Sequence, residues 1–309
     1  AASDVYKRQP QDPLSTARHE PDQVEVLSGV YQGVTTGMPV CLLLRNRDVR
    51  SADYDALRHT PRPSHADYTA WVQSGGRNDP RGGGAFSGRL TAPLVAAGAL
   101  AKSWLKLQDI KVNAQVIDEN ALRQRAEEAR QEGDSVGGQV RCIVTGLPAG
   151  WGGPDWRETA ESEIARHVFA IPGVKAVAFG AGEELAALRG SQANDPWRTD
   201  GRRVWSVTNH SGGINGGVGS SSGTSVTKVS PVAGGIAGIL GLGGAVASVA
   251  IPVAGAVIGP LLGTAGRAIG GMAPSRTAFN SIARNIGGSV GVNTSWGTCL
   301  LYTSDAADD

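Results

Sequence analysis

Cysteine is scarce in this sequence, with three residues in a chain of 309. Cys41, Cys142 and Cys299 stand far apart, which excludes a dense disulfide framework and any CxxC pair of the kind that holds zinc. A reducing, cytoplasmic setting is the default for such a chain. An excess of charge of one sign is also missing. Lys and Arg number 29 against 28 Asp and Glu, with a pI near 8.0. That balance offers no electrostatic argument for nucleic acid or for a membrane surface. No signal-peptide pattern is visible. The length suits one large domain or two smaller ones.

Glycine, by contrast, is abundant at 44 residues, and its excess sits mostly beyond residue 210. The run Ser230–Gly266 carries no charge and includes the spacing Gly255, Gly259, Gly263. Long uncharged apolar runs read as membrane spans, and repeated GxxxG reads as a helix-packing face. Pro252 and Pro260 would kink such helices. The favoured expectation is foreign or frame-shifted coding sequence joined to the rest. Residues 1–9 can be encoded by a short DNA whose reverse complement, read one base in, encodes residues 299–306. Both ends are therefore expected to derive from a library adapter. The expected organisation is 1–9 adapter-like, 10–225 one incomplete domain, 226–298 a Gly/Ala-rich apolar tail, and 299–309 adapter-like.

The chemistry concentrates in two neighbouring segments, Arg62-Pro63-Ser64-His65-Ala66-Asp67-Tyr68-Thr69 and Arg81-Gly82-Gly83-Gly84-Ala85-Phe86-Ser87-Gly88-Arg89-Leu90-Thr91. Pro61 and Pro63 keep helix out of the first, placing Arg62 and His65 in a loop. In the second, glycines let backbone approach a ligand, and the helix start that follows offers unpaired N–H groups to an anion. Arg62, Arg81 and Arg89 could add charged forks for phosphate. The pattern suits an anionic-ligand site with one titratable imidazole. It equally suits a basic surface loop with a solvated histidine, and the residues alone leave both open.

Periodicity predicts strands near 23–30, 39–45, 109–116, 139–145 and 174–180, a turn at 33–37, and helices near 93–107, 119–132 and 156–170. The alternation argues for a mixed α/β domain. The charges of 119–132 are spaced as on a solvated face. His59 reads as loop, and His167 as surface or packing.

The segments PLSTARHEPD, LSGVYQGVTTGMPVCLLLRNRD, RPSHADYT, the Gly84–Leu100 run, GDSVGGQV, TGLPAG, IPGVKAVAFG, LRGSQ and NHSGGINGG, in this order, resemble the chorismate synthase family over about Pro10–Val218. The resemblance implies a β-α-β sandwich assembled as a homotetramer. It also implies loss of phosphate from 5-enolpyruvylshikimate 3-phosphate by 1,4-elimination to give chorismate. The family needs reduced FMN, with NADPH or another reductant to regenerate it. Carried over residue by residue, His65 is the catalytic imidazole passing a proton to reduced flavin, and Arg62, Ser87 and Arg89 bind substrate. Ala85, Phe86, Ser87, Pro172, Gly173 and Gly216 contact the cofactor, and no metal or nucleic acid is expected.

The chain departs from the family pattern in places. Ser64 stands where the family usually has Gly, and Ala85 and Phe86 stand where some members have a basic and a small residue. The family's GESHG, KPT and RHDP segments are not recognisable, so the chain is expected to be impaired by truncation. Two alternatives stay open: a membrane-associated or self-associating protein organised by the tail, with membrane contact only if residues 231–266 are genuine, or a non-catalytic flavin- or phosphate-binding relic.

Overall fold

The structure is a computed structural model that describes residues 23–47, 59–79, 84–153, 155–220 and 224–231. Its first elements are β1 (Val24–Ser28), the two-residue strands β2 (Val30–Tyr31) and β3 (Val34–Thr35), and β4 (Cys41–Leu44). Helix α1 (Asp67–Ser74) precedes two short 3-10 turns, Gly84–Phe86 and Gly88–Leu90, which lead directly into α2 (Thr91–Leu107). There follow β5 (Lys111–Val116), α3 (Glu119–Gln131), β6 (Val140–Thr145), α4 (Ala160–Phe169) and β7 (Val174–Phe179). The single-turn α5 (Gly190–Ala193), the hairpins β8 (Trp197–Thr199) with β9 (Val204–Ser206) and β10 (Ile214–Asn215) with β11 (Val218–Gly219), and β12 (Thr224–Pro231) complete the described chain.

The expected strands and helices are found within a few residues of their predicted ends. The predicted turn at 33–37 differs: it contains β3, paired back on β2 across a tip at Gln32 and Gly33, both with positive φ. Two-residue ladders carry too little alternation to be read from a pattern.

An antiparallel four-stranded sheet of order β5-β6-β12-β7 forms one layer. The alternation VRCIVT in β6 buries Val140, Cys142 and Val144 on one face. Against that face pack Ala101 and Leu105 of α2 and Ala160, Ile164 and Val168 of α4, in a cluster that also holds Trp151 and Ile171. Ala160, Ile164 and Val168 recur every fourth residue, the spacing that lines up one side of a helix. The other half of α2 turns Ala92 and Ala96 to Leu42 and Leu44, with Val24, Val40 and Leu100 beside them. β4 is paired antiparallel to β1 there. Helix α2 thus lies between two β layers, as a β-α-β sandwich requires. Its small residues, including buried Gly98 and Ala99, let both layers approach its axis.

Helix α3 buries only Leu122, so its charged residues are the solvated face the spacing predicts. Cys41 and Cys142 are unpaired thiols, and burial pushes the Cys142 thiol up to about 12. His167 is largely buried, its Nδ1 2.7 Å from the Glu163 carbonyl oxygen one turn earlier, which makes it a packing residue of α4.

β12 lies between β6 and β7 and pairs with both, from Thr224 opposite Thr145 to Pro231 opposite Val174. The expected domain boundary between residues 225 and 226 falls inside this strand. Residues 232–309, including the apolar 231–266 run beyond its first residue, lie outside the described residues. Among the described residues no helix is long and apolar enough to cross a membrane.

Candidate active site

The loop carrying His65 is built by a tight turn. The His65 N–H donates to the Arg62 carbonyl at 3.3 Å, with Pro63 at the second position and Ser64 at the third with φ +58°. Proline second and a positive φ third describe a type II turn. The turn ends just before α1, whose first residue is Asp67. It folds Arg62 back over the start of that helix. The Asp67 carboxylate accepts from the Arg62 backbone N–H at 2.9 Å and from its Nε at 2.9 Å through Oδ2, and from Nη2 at 2.9 Å through Oδ1. Asp67 Oδ1 also lies 2.6 Å from His65 Nδ1. The Arg62 Nη2 is 3.1 Å from Nδ1 and 3.2 Å from Nε2 of His65. Lone pairs on the two ring nitrogens diverge, so one nitrogen equidistant from both lies across the ring, not in line with either.

The hydrogen bond from the Arg62 side chain is the main cause that holds the Asp67 carboxyl far below the usual carboxylate range, against the opposing effect of burial. Asp67 was not among the expected site residues. The signal available for it was an acid two residues after the histidine and five after the arginine in a proline-bounded loop.

Ser87 links the two 3-10 turns ahead of α2, and its carbonyl accepts from the Leu90 N–H at 3.1 Å. Thr91 Oγ1 donates to the Gly88 carbonyl at 2.8 Å, tying the second turn to the helix. Ala85 and Phe86 are exposed on the first turn. Arg89 sits on the second, immediately before the N-terminus of α2. Arg81 lies outside the described residues.

The glycine positions divide into two places. Pro172 and Gly173 form the turn from α4 into β7, with Gly173 at φ +81° and the Val174 N–H donating to the Ile171 carbonyl at 3.3 Å. Gly216 and Gly217 form the tip of the β10–β11 hairpin, with φ +61° and +83°. Positive φ at both central residues is the hairpin turn that glycine pairs favour. The two glycines differ in surroundings. A Cβ on Gly217 would lie 2.6 Å from Thr159 Cγ2, whereas one on Gly216 would meet nothing within 4 Å. Gly217 is needed for packing. Gly216 presents bare, open backbone that a ligand can approach.

The hairpin is fixed from behind. The Gly217 carbonyl accepts the Ala160 N–H at 2.8 Å. Asp195 accepts from Thr208 Oγ1 at 2.7 Å and from the His210 and Ser211 N–H groups at 2.8 Å each. Burial would raise its pKa, but these hydrogen bonds outweigh that effect and hold it below the usual value. Gly180, at the end of β7, has the His210 carbonyl and the Gly212 N–H where a side chain would go. Asp195 was also not expected; nothing local marks it, since its partners lie more than ten residues away.

Arg62, His65 and Asp67 are therefore brought into contact, and Ser87 and Arg89 stand together before α2. Pro172 and Gly173 are not brought to Gly216 within the chain. Gly217 is bonded to the first residue of α4 and Gly173 lies four residues beyond its last, so about 15 Å of helix separates the two turns. The His65 bonds given above stay within residues 62–67. A surface hollow of about 550 Å³ on the β8–β9 hairpin, lined by Asp200, Arg202, Arg203, Val204 and Trp205, contains none of these residues.

The chorismate synthase family model matches residues 2–233. The motif resemblance stops at Val218, whereas this match runs through β12. A chorismate synthase of Thermococcus kodakarensis is 44% identical over 241 residues, covering 70% of this chain and 68% of the relative. That of Pyrococcus abyssi is 42% identical over 232 residues, covering 66% and 65%. That of Bordetella pertussis is 42% identical over 241 residues, covering 69% and 65%. The matched part thus spans about two thirds of the curated relatives' length. A solved crystal structure of a chorismate synthase superposes with a TM-score of 0.65 at 22% identity, covering 85% of this chain and 84% of the other, which speaks for the fold.

Proposed function

Because this chain belongs to the chorismate synthase family, we propose that it acts as a chorismate synthase, a lyase that removes phosphate from 5-enolpyruvylshikimate 3-phosphate. The observation that carries this is 44% identity to a chorismate synthase across 241 residues. The RPSHADYT loop lies within that family match, and its imidazole is held by two charged neighbours. The reaction is a 1,4-elimination. The C–O bond to phosphate breaks with its electron pair, a ring hydrogen is lost, and the net oxidation state is unchanged.

His65 holds and moves a proton at its ring nitrogen. Arg89 offers a planar guanidinium fork that can bond two oxygens of the substrate's phosphate or carboxylate, and Arg62, whose fork is turned to Asp67, adds positive charge for the same groups. Ser87, between Phe86 and Arg89, places its hydroxyl for substrate or cofactor. Ala85, Phe86, Gly216, Pro172 and Gly173 line the cofactor site, with the closest approach of the flavin ring at the open backbone of Gly216. Pro172 and Gly173 contact the same cofactor from the far end of α4. When bound, reduced FMN supplies the electron-rich ring the elimination needs, and NADPH or another reductant regenerates it. The assembly proposed is a homotetramer in the cytoplasm.

The test is turnover of 5-enolpyruvylshikimate 3-phosphate by the full gene product that contains residues 10–231. His65→Ala lowers kcat by about 10²–10⁴-fold, the usual worth of a general acid–base group, while flavin fluorescence is still quenched on binding. Arg89→Ala raises KM above all. Unchanged turnover in His65→Ala removes the residue assignment, and flavin binding without turnover in the parent protein favours the non-catalytic relic.

A further inference from the structure

We propose that Asp67 is the positioning residue for His65: its carboxylate holds the Nδ1 proton, fixing the imidazole as the Nδ1–H tautomer and reserving Nε2 for proton exchange at the site. The inference rests on the reading of His65 as the working imidazole, and adds a residue and a protonation geometry to it.

The argument begins with distance. Asp67 Oδ1 is 2.6 Å from His65 Nδ1. An ionised carboxylate has no proton and only accepts. A bare ring nitrogen and an ionised carboxylate oxygen only 2.6 Å apart would repel, so the nitrogen there carries the hydrogen. That the carboxylate is ionised follows from Arg62, which gives it three N–H donors, from the backbone, Nε and Nη2. Three donors saturate much of its acceptor capacity and hold it in place, and the tight Arg62–His65 turn brings ring and carboxylate together. In a neutral imidazole, a proton on Nδ1 leaves Nε2 as the acceptor. The Nη2 group of Arg62, lying across the ring, disfavours rotation of the imidazole out of this pose. Much of the guanidinium of Arg62 is thereby committed to Asp67, so its first task is to hold the Asp67–His65 pair.

The parts form a relay of orientation: Pro63 and the turn fold Arg62 back, Arg62 fixes Asp67, and Asp67 fixes the tautomer of His65. A third group that orients a base is a recurring arrangement in proton-transfer sites, and removing such a carboxylate can cost up to about 10⁴-fold in kcat through the wrong tautomer.

The experiment reads the tautomer directly. The full chain, 15N-labelled at histidine, is studied by long-range 1H–15N correlation at a pH where the imidazoles are neutral, without flavin or substrate. The chain has five histidines, and His65→Gln assigns the one in question. In the parent protein the resonance of the unprotonated nitrogen should couple to both ring protons, which identifies it as Nε2. In Asp67→Asn it should move to Nδ1, and Asp67→Glu should recover part of the parent pattern. In the active full gene product, Asp67→Asn should lower kcat between about 10-fold and about 10⁴-fold with KM little changed and flavin still bound.

A parent spectrum showing Nε2–H overturns the proposal without any variant. So does an Asp67→Asn spectrum identical to the parent's, or a fall in kcat with the tautomer unchanged, which would mark a merely structural role. If the tautomer shifts as stated but the parent protein does not turn over substrate, the positioning by Asp67 stands and the lyase reading falls.

Discussion

Ser64 occupies the third position of the Arg62–His65 turn at φ +58°, a conformation that costs an L side chain about 1–2 kcal/mol. Glycine would remove that cost but would add about 0.4–1 kcal/mol of unfolded-chain entropy. Ser64→Gly is therefore expected to stabilise the protein by about 0.5–1 kcal/mol, raising Tm by a few degrees at most. Thermal unfolding followed by circular dichroism checks this, and a lower Tm would mean that the Ser64 side chain holds the turn. The same loop shows how much of the site was legible. Arg62 and His65 stand out in RPSHADYT because prolines bound them. Asp67 did not, because its role comes from a backbone reversal that carries Arg62 over the helix start, and spacing alone does not reveal a reversal.

At the scale of elements, α4 was legible and its start was not. Its apolar ridge at Ala160, Ile164 and Val168 reads from the sequence, but the predicted start at 156 is overruled by Thr159. The hydroxyl of Thr159 accepts the Ser162 N–H at 3.2 Å as the N-cap, and the Gly217 carbonyl takes the Ala160 N–H. This contact with the β10–β11 tip separates two neighbouring glycines. Gly217→Ala drives a methyl against Thr159 at φ +83°, so it should lose about 2 kcal/mol or more and disturb the start of α4. Gly216→Ala meets open space, so it should cost only the strain of its φ, about 1–2 kcal/mol, and should instead weaken flavin binding. Denaturant unfolding beside flavin fluorescence titration separates them; a larger flavin effect at 217 than at 216 would contradict the assignment.

The loop behind that tip depends on an ionised carboxylate. The folded-state pKa of Asp195 is depressed, so its contribution to stability is present above the unfolded value near 4 and is lost as pH falls below it. Asp195→Asn keeps one accepting oxygen for Thr208 and His210 but sets an amide N–H against the backbone N–H of Ser211. It should destabilise by roughly 1–3 kcal/mol at pH 7. The gap to the parent should narrow as pH drops from about 4, and a gap independent of pH across that window would contradict it.

For the whole molecule, the decisive strand was the one the sequence hid. TSVTKVSP is polar and ends in proline, and it follows the point where the motif resemblance fades, so the expected boundary was set inside it. Its place is dictated by partners far away in the chain, at Val140–Thr145 and Val174–Phe179, and local pattern cannot report pairing at that distance. Those partners bury the sheet face against α2 and α4, so β12 ties together the layer on which Trp151, Ile164 and the β10–β11 tip depend. Removing it would leave β6 and β7 with unpaired edges in the middle of a sheet. A domain has only about 5–15 kcal/mol of net stability, and removing β12 deletes the pairing of two strands at once. A chain ending at residue 223 should therefore lack a cooperative thermal transition and most slow-exchanging amides, whereas one ending at residue 231 should keep both. Equal transitions in the two would mean that β6 and β7 can close on each other without β12, and the sheet order β5-β6-β12-β7 would then not be what holds this fold together.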